Sequence, residues 1–367
     1  MPRLRRIFSF FTALAILTSA STCRASTPQT SASAYILMDA DSGRILAEQG
    51  SERELAIAST TKIMTALVAL DYGALTERVC VKREHLKEGS SMYLAEGETL
   101  TREALLYGLL LPSGNDAAEC IADTCGGREA FVARMNEKAA ALGMAHSAFA
   151  NPSGLDAQGH YSCAEDMARL AVYAMQNPMF ARIVSTVTAT VGTRTMGNHN
   201  KLLTRLDGCI GLKTGYTDQA GRTLVTCCER DARRLVAVTL HDRDDWADHT
   251  ALYEYGFANF TEQTAVKQGA VCGYVAVSGA QRENVALIAA DGFAYPLAEG
   301  EILETEKVLP DMLTAPIRAG TPAGELIVRL NGEELGRVAL VCASDIGKEE
   351  KTLGFWQRLF GQKPMGE

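Results

Sequence analysis

Ala56-Ile57-Ala58-Ser59-Thr60-Thr61-Lys62-Ile63-Met64-Thr65-Ala66-Leu67 is the stretch whose reading decides the fold. Ile63, Ala66, Leu67 and Leu70 recur at i, i+3, i+4 and i+7, which predicts an amphipathic helix with one buried stripe, stopped at Gly73. Ser59 stands at the predicted helix start, and Lys62 follows three residues later on the same face. A hydroxyl and an amine at that spacing, beside unpaired helix N–H groups, suit nucleophilic chemistry. The amine takes the alcohol proton while the N–H groups hold an oxyanion. The amine must be neutral to do so, and burial or a second cation lowers a lysine pKa. Alone the pattern is weak, because an ordinary N-cap serine followed by a solvated lysine looks the same.

The chain around it has 367 residues, enough for two domains, and is 47% hydrophobic, as globular proteins are. Met1 to Ala25 reads as a targeting segment. Arg3, Arg5 and Arg6 precede an apolar run from Ile7 to Leu17, and Cys23-Arg24-Ala25 offers small residues for cleavage. Cys23 also admits a lipoprotein reading, weakened because no leucine stands three residues before it. Either reading predicts export. Cleavage would remove four arginines and no acidic residue, moving the formal charge from −8 to −12 and arguing against nucleic acid as a partner. Ten cysteines, nine after cleavage, form no even framework and match no zinc or redox spacing, so they read as buried thiols, with one disulfide left open. The absence of H-E-x-x-H, G-x-S-x-G, Walker and G-x-G-x-x-G patterns argues against a metal hydrolase, an α/β-hydrolase and a nucleotide enzyme.

Along the chain, Ala34 to Asp39 and Arg44 to Glu48 predict a hairpin about Asp41-Ser42-Gly43. Ser90 to Leu94 reads as loop, and Arg102 to Leu111 as a helix capped by Thr101 and stopped by Pro112. Helices follow from Asp116 to Asp123, after Gly126-Gly127 to Leu142, and from Ala164 to Met175, with β character from Ile183 to Val191. Gly208 to Gly215 reads as a strand whose glycines allow close backbone approach, Thr223–Cys228 and Leu235–Leu240 as a hairpin, and Asp245 to Phe260 as a helix. Beyond it, short strands at 271–277, 285–289, 307–308, 325–330 and 334–341 predict a small all-β unit. A charged linker at 348–351 leads to 353–360, where Leu353, Trp356, Leu359 and Phe360 share a helical face. That face suits an interfacial membrane anchor and equally a frayed tail.

Ser59-x-x-Lys62, Ser113-Gly114-Asn115 and Lys213-Thr214-Gly215 thus occur in order, at a helix start, an inter-helix loop and a strand. Class A β-lactamases and penicillin-binding proteins carry this three-part set. The chain resembles a low-molecular-weight penicillin-binding protein, a serine-type D-alanyl-D-alanine carboxypeptidase of peptidase family S11. It shares Tyr35-Ile36-Leu37-Met38-Asp39 with Ser42-Gly43, Asn151-Pro152-Ser153-Gly154-Leu155, Gly159-His160-Tyr161-Ser162 and Asn200-Lys201-Leu202-Leu203. The resemblance spans Ala34 to Phe260 and, more weakly, the β unit through Ala315-Pro316-Ile317.

The resemblance implies an α/β (α+β) transpeptidase-like fold, an antiparallel sheet flanked by helices, plus a small C-terminal β-sandwich-like domain. The expected boundaries are 1–25 leader, 26–262 catalytic, 263–343 β domain and 344–367 linker and tail. Ser59 would be the acylated nucleophile, Lys62 its base and Ser113 a proton relay. Asn115 would bond substrate or Lys62. Lys213 would supply positive field, lower the Lys62 pKa and, with Thr214, steer the terminal carboxylate. Gly215 would let the substrate backbone lie against the strand, and the N–H groups of Ser59 and Tyr216 would form the oxyanion hole. No metal or cofactor is needed. The substrates would be peptidoglycan pentapeptide stems and β-lactams would be covalent inhibitors, at the outer face of the bacterial cytoplasmic membrane or in the wall.

One position departs from the family pattern. Where relatives carry a carboxylate-binding arginine before the last catalytic-domain helix, this chain reads Asp244-Asp245-Trp246, leaving Arg222 or Arg243 as substitutes. Asp248 and His249 read as surface positions rather than a triad, because Lys62 already fills the role of base. The competing functions are a β-lactamase, a D,D-endopeptidase of the same fold and an inactive wall-binding protein.

Overall fold

The structure is a computed structural model describing residues 26–349, so the expected leader and the expected 353–360 face lie outside the described residues. Strands β1 (Ala34–Asp39) and β2 (Ile45–Gln49) form the expected hairpin. Its turn is held by the Asp39 carboxylate, which accepts from the Ser42 N–H and hydroxyl at 3.0 and 2.7 Å, while Gly43 takes φ +72°. Strands β3 (Cys209–Thr217), β4 (Gly221–Arg230) and β5 (Arg233–Asp242) complete an antiparallel sheet ordered β2-β1-β5-β4-β3. Asp231 and Ala232, at φ +51° and +61°, make the two-residue turn between β4 and β5, whose twist matches the strands.

Among the described residues seven α-helices cover the sheet: α1 (Lys62–Tyr72), α2 (Arg102–Leu110), α3 (Asn115–Thr124), α4 (Arg128–Ala141), α5 (Ala164–Met175), α6 (Pro178–Val184) and α7 (Asp245–Asn259). The first six share one apolar core with Ile36, Val225, Val236 and Val238. Helix α7 covers the opposite face, with Leu252 and Tyr253 against Leu37, Leu224 and Leu235. Sandwiched between layers, β1 is buried at all six residues and reads as a continuous apolar run.

Three expectations need correction. The S-x-x-K stretch does not start an α-helix at Ser59. Residues Ala58–Thr61 form a 3₁₀ turn and α1 begins at Lys62. The Thr60 and Thr61 hydroxyls donate back to the Ile57 and Ala58 carbonyls at 2.6 and 2.8 Å, tightening that turn. Nor is α1 striped, for residues 62–69 are all buried and the helix runs through the middle of the helical layer. Ile183 lies in α6 and not in a strand. Asn177 caps α6 by accepting from the Met179 and Phe180 N–H groups, Pro178 opens it, and β structure is confined to a hairpin of Thr188–Val191 and Arg194–Gly197.

Beyond α7 the chain is all β. A six-stranded sheet runs Leu303–Val308, Pro322–Leu330, Glu333–Cys342, Asn284–Ala289, Val271–Ser278 and Met312–Thr314, and a two-stranded ladder joins Phe260–Val266 to Phe293–Ala298. The sequence reading lacks the Phe260, Phe293 and Met312 strands, which are short or half-exposed and show little alternation. Arg44, in the turn of the first hairpin, clamps this unit to the catalytic sheet. Its guanidinium makes two bonds of 2.7 Å to Glu301 and one of 2.5 Å to the Pro296 carbonyl, and packs on Phe260 and Tyr295. Among the described residues no helix is long and apolar enough to cross a membrane.

Candidate active site

The site forms where the edge strand β3 meets the 3₁₀ turn before α1 and the loop before α3. Ser113, in that loop, takes φ +63°, and Ala58, immediately before Ser59, takes φ +46°. Left-handed backbone at two non-glycine residues costs on the order of 1 kcal/mol or more each and marks a place where surrounding structure dictates conformation. Lys62 Nζ is fully buried and lies within hydrogen-bond distance of Ser59 Oγ at 2.8 Å, Asn115 Oδ1 at 2.8 Å and the Ser153 carbonyl at 2.5 Å, so that the neutral amine can donate to the last two and accept from the hydroxyl. Burial pushes its pKa well below the ordinary lysine value, and the nearby Lys213 pushes it further. Lys213 is also buried, donates to the Thr214 carbonyl at 2.8 Å, and is lowered to about 7 by desolvation.

Ser59, Ser113, Thr214, Gly215 and Tyr216 line one cleft of about 320 Å³. A methyl group on Gly215 would stand 2.9 Å from the Ser59 nitrogen, so the bare glycine lets β3 press against the Ser59 backbone. Thr223, across from Gly215 in the ladder, donates its hydroxyl to the Ile57 carbonyl at 3.1 Å and fixes that approach. Ser113 Oγ is buried without a hydrogen-bond partner in the structure, a free donor and acceptor at the cleft. Together these groups place a hydroxyl, two buried amines of lowered pKa and backbone N–H donors around one crevice.

The family model for D-alanyl-D-alanine carboxypeptidase, peptidase S11, matches residues 21–244, and that for the penicillin-binding protein 5 C-terminal domain matches 260–348. The chain belongs to the D-alanyl-D-alanine carboxypeptidase family. The D-alanyl-D-alanine carboxypeptidase DacF of Bacillus subtilis is 29% identical to it, covering 89% of this chain and 90% of that protein. DacC of Escherichia coli is 31% identical over 87% and 85%. The crystal structure of penicillin binding protein 5 from Haemophilus influenzae superposes with a TM-score of 0.76 at 27% identity, covering 88% of this chain and 99% of that one.

In this carboxypeptidase the structure gathers Ser59, Lys62, Ser113, Asn115, Lys213, Thr214, Gly215 and Tyr216 around one crevice. It also explains motifs that the sequence left without a role. Asn151 Oδ1 accepts from the Ser153 and Gly154 N–H groups at 3.1 and 2.7 Å, folding the loop that presents the Ser153 carbonyl to Lys62. His160 Nδ1 accepts from the Ala150 N–H at 3.0 Å, so its proton sits on Nε2 and points to Thr61 Oγ1 at 2.8 Å. Thr61 in turn donates to the Ala58 carbonyl. Burial lowers the His160 pKa to about 4 and keeps this prop neutral. Asp116 accepts from Ser91 Oγ and from the Met92 and Leu94 N–H groups, pinning the 90–94 loop beside Ser113.

The carboxypeptidase cleft further includes Ser90, His199, Lys201, Arg222, Asp245 and Trp246, of which sequence reasoning offered only Arg222 as a substrate-binding residue. Arg243 is exposed and outside that lining. Arg222 pairs with Asp245, lies over the Trp246 ring at 5.4 Å, and keeps a buried Nε without a partner. Asp248 and His249 are not surface positions. His249 is fully buried between Thr226 Oγ1 and Thr239 Oγ1 at 2.7 and 3.1 Å, its pKa lowered to about 3, and Asp248 binds Ser31. Helix α7 lies flat on the sheet, which burial of a hydrogen-bonded histidine tolerates and a periodicity argument did not foresee.

Among the described residues one group of metal-capable side chains meets, Glu84, His85 and Asp123, away from the cleft lining. Its members already answer one another. The Lys82 N–H donates to His85 Nδ1 at 3.1 Å, leaving Nε2 as the donor to Asp123 at 3.2 Å, and Lys82 Nζ binds Asp123 at 2.7 Å. With its Nε2 protonated, His85 has no lone pair free for a cation.

The two lysines predict a bell-shaped pH profile. Lowering the Lys62 pKa raises the fraction present as neutral base, and acylation is expected to fall as acid protonates it. A cationic role for Lys213 predicts that kcat/KM falls on the alkaline side from about pH 7, the free-enzyme value. A bound substrate carboxylate would raise that pKa, shifting the alkaline limb of kcat to higher pH. Coincident alkaline limbs in kcat and kcat/KM would refute this division of labour.

Proposed function

We propose that this carboxypeptidase removes the terminal D-alanine from peptidoglycan pentapeptide stems through an acyl-enzyme on Ser59. The observation carrying the assignment is the 2.8 Å bond from a fully buried Lys62 amine to Ser59 Oγ. Neutral Lys62 takes the hydroxyl proton as Ser59 Oγ attacks the carbonyl carbon of the last peptide bond. The oxyanion is held by the N–H groups of Ser59 and Tyr216, where Gly215 brings β3 close. The proton passes by way of Lys62 and Ser113 to the leaving nitrogen, and D-alanine departs. Water, deprotonated by Lys62, then cleaves the ester and restores the serine.

Lys213, Thr214 and Arg222 together receive the substrate carboxylate in this reading. Arg222 takes the part that relatives give to an arginine before α7: Asp245 and Trp246 hold its guanidinium in the cleft, and its Nε has a donor to spare. Arg222→Ala is expected to lower kcat/KM on a D-Ala-D-Ala peptide by roughly 10- to 100-fold while costing little on the C-terminal carboxamide. An equal loss on both substrates would show that Arg222 does not read the carboxylate.

Residues 26–262 are the catalytic unit in this reading and 263–343 the β domain. Met1 to Ala25 directs export to the outer face of the bacterial cytoplasmic membrane or the wall, and 353–360 contributes peripheral membrane contact. Labelled penicillin followed by intact mass and peptide mapping tests the reaction class. A persistent adduct on Ser59 with release of D-alanine supports the carboxypeptidase. Rapid adduct turnover would indicate a β-lactamase, larger released fragments an endopeptidase, and no adduct an inactive wall-binding protein.

A further inference from the structure

Seven of the nine cysteines among the described residues are buried, and Cys80 is exposed. Cys209, at the start of β3, is half-buried and stands opposite the buried Cys228 of β4. The Glu229 N–H donates to the Gly208 carbonyl at 2.8 Å, one residue outside the pair on each strand. That pattern makes Cys209 and Cys228 a non-hydrogen-bonded cross-strand pair. At such positions Cα atoms stand about 4.5 Å apart, inside the range that a disulfide spans. The neighbouring Cys227 points to the opposite core, so it does not compete. Among the paired strands no other two cysteines face each other.

We propose that Cys209 and Cys228 form a redox-active pair that closes to an intramolecular disulfide on meeting an external disulfide oxidant. The bond would tie the strand bearing Lys213, Thr214 and Gly215 to its neighbour. The thiol of Cys228 donates a hydrogen bond to Cys209, which lowers the Cys209 pKa and makes it the attacking sulfur. Cys209 is also the one that a reagent can reach. Its thiolate attacks one sulfur of the oxidant RSSR and expels RS⁻, giving Cys209–S–S–R. Cys228 then loses its proton and attacks the Cys209 sulfur, expelling the second RS⁻. Two cysteine thiols are oxidised, one RSSR is reduced to two RSH, and the protons end on the leaving thiols.

The location gives the bond a mechanical consequence. β3 is the edge strand, paired on one side only, and its ladder is interrupted between Cys209 and Gly211. The crosslink would close at that interruption, four residues before Lys213, and hold the start of the strand that lines the cleft.

The test equilibrates the folded chain with oxidised and then reduced glutathione, followed by intact mass, non-reducing peptide mapping and thermal unfolding. The expected result is loss of two hydrogens (about 2 Da), a peptide linking Cys209 to Cys228, and a rise in Tm of roughly 5 °C that reduction reverses. C228A should stop at a stable glutathione adduct on Cys209, and C209S should show neither adduct nor crosslink at these positions. C209S alters a half-exposed site and keeps the test open if C228A fails to fold. A wild-type chain that keeps glutathione on Cys209, or in which both thiols stay free for alkylation, would overturn the proposal.

Discussion

Ser59→Ala is expected to abolish the covalent penicillin adduct and to lower D-alanine release by roughly ten-thousand-fold or more, as loss of the nucleophile does in other serine hydrolases. The loss should not come from unfolding. Ser59 Oγ shares one bond with Lys62, and Lys62 keeps Asn115 Oδ1 and the Ser153 carbonyl as partners when the hydroxyl is gone. Thermal unfolding should therefore stay close to wild type while labelling disappears. An adduct that persists on the variant would move the nucleophile elsewhere, and Ser113, whose Oγ is unpartnered in the same cleft, would be the first residue to map.

Gly154→Ala is expected to cost on the order of 3 kcal/mol of stability or more, with acylation falling in parallel. Gly154 sits at φ +84°, and a methyl there would strike the Ala58 carbonyl, standing 2.5 Å from its carbon and 2.9 Å from Thr61 Oγ1. The obstructing atoms belong to the turn that presents Ser59, and the two nearest are backbone, so rotating the Thr61 side chain cannot relieve the collision. Gly159→Ala supplies the control. That glycine has a similar φ of +74°, but a methyl would meet nothing within 4 Å, so only the left-handed backbone cost of about 1 kcal/mol should appear. Chemical unfolding of the two variants separates backbone strain from collision. Equal losses would mean that the close packing of the 151–155 loop against the Ser59 turn contributes little.

Both experiments bear on how this site is held. Asn151, Ser153, Gly154, His160 and Thr61 touch no substrate in the proposed mechanism, yet they set where the Lys62 amine and the Ser59 backbone point. Their sequence signals were visible as short runs around Asn-Pro-Ser-Gly-Leu and Gly-His-Tyr-Ser. Those runs read locally as turns, because their partners lie about a hundred residues away, as with Thr61 and His160. The same limitation misplaced His249: its hydroxyl partners Thr226 and Thr239 come from two strands, and spacing along α7 says nothing of them. The fate of Ile183 differs, since the cap and proline that make α6 a helix stood in the sequence.

The sequence by itself determined the local pieces. Thr101 at its helix start, Pro112 at a stop, Asp41-Ser42-Gly43 in a turn and the three motifs in order follow from interactions within a few residues. The tertiary structure alone decided that α1 is buried on every side, that Lys213 stands close enough to depress Lys62, that Asp245 and Trp246 hold Arg222 in the cleft, and that Cys209 faces Cys228. Those outcomes depend on desolvation and on contacts between distant segments. Both arise only when the sheet and helical layer close around the crevice, because a lone amine in water keeps its proton and an isolated strand has no neighbour.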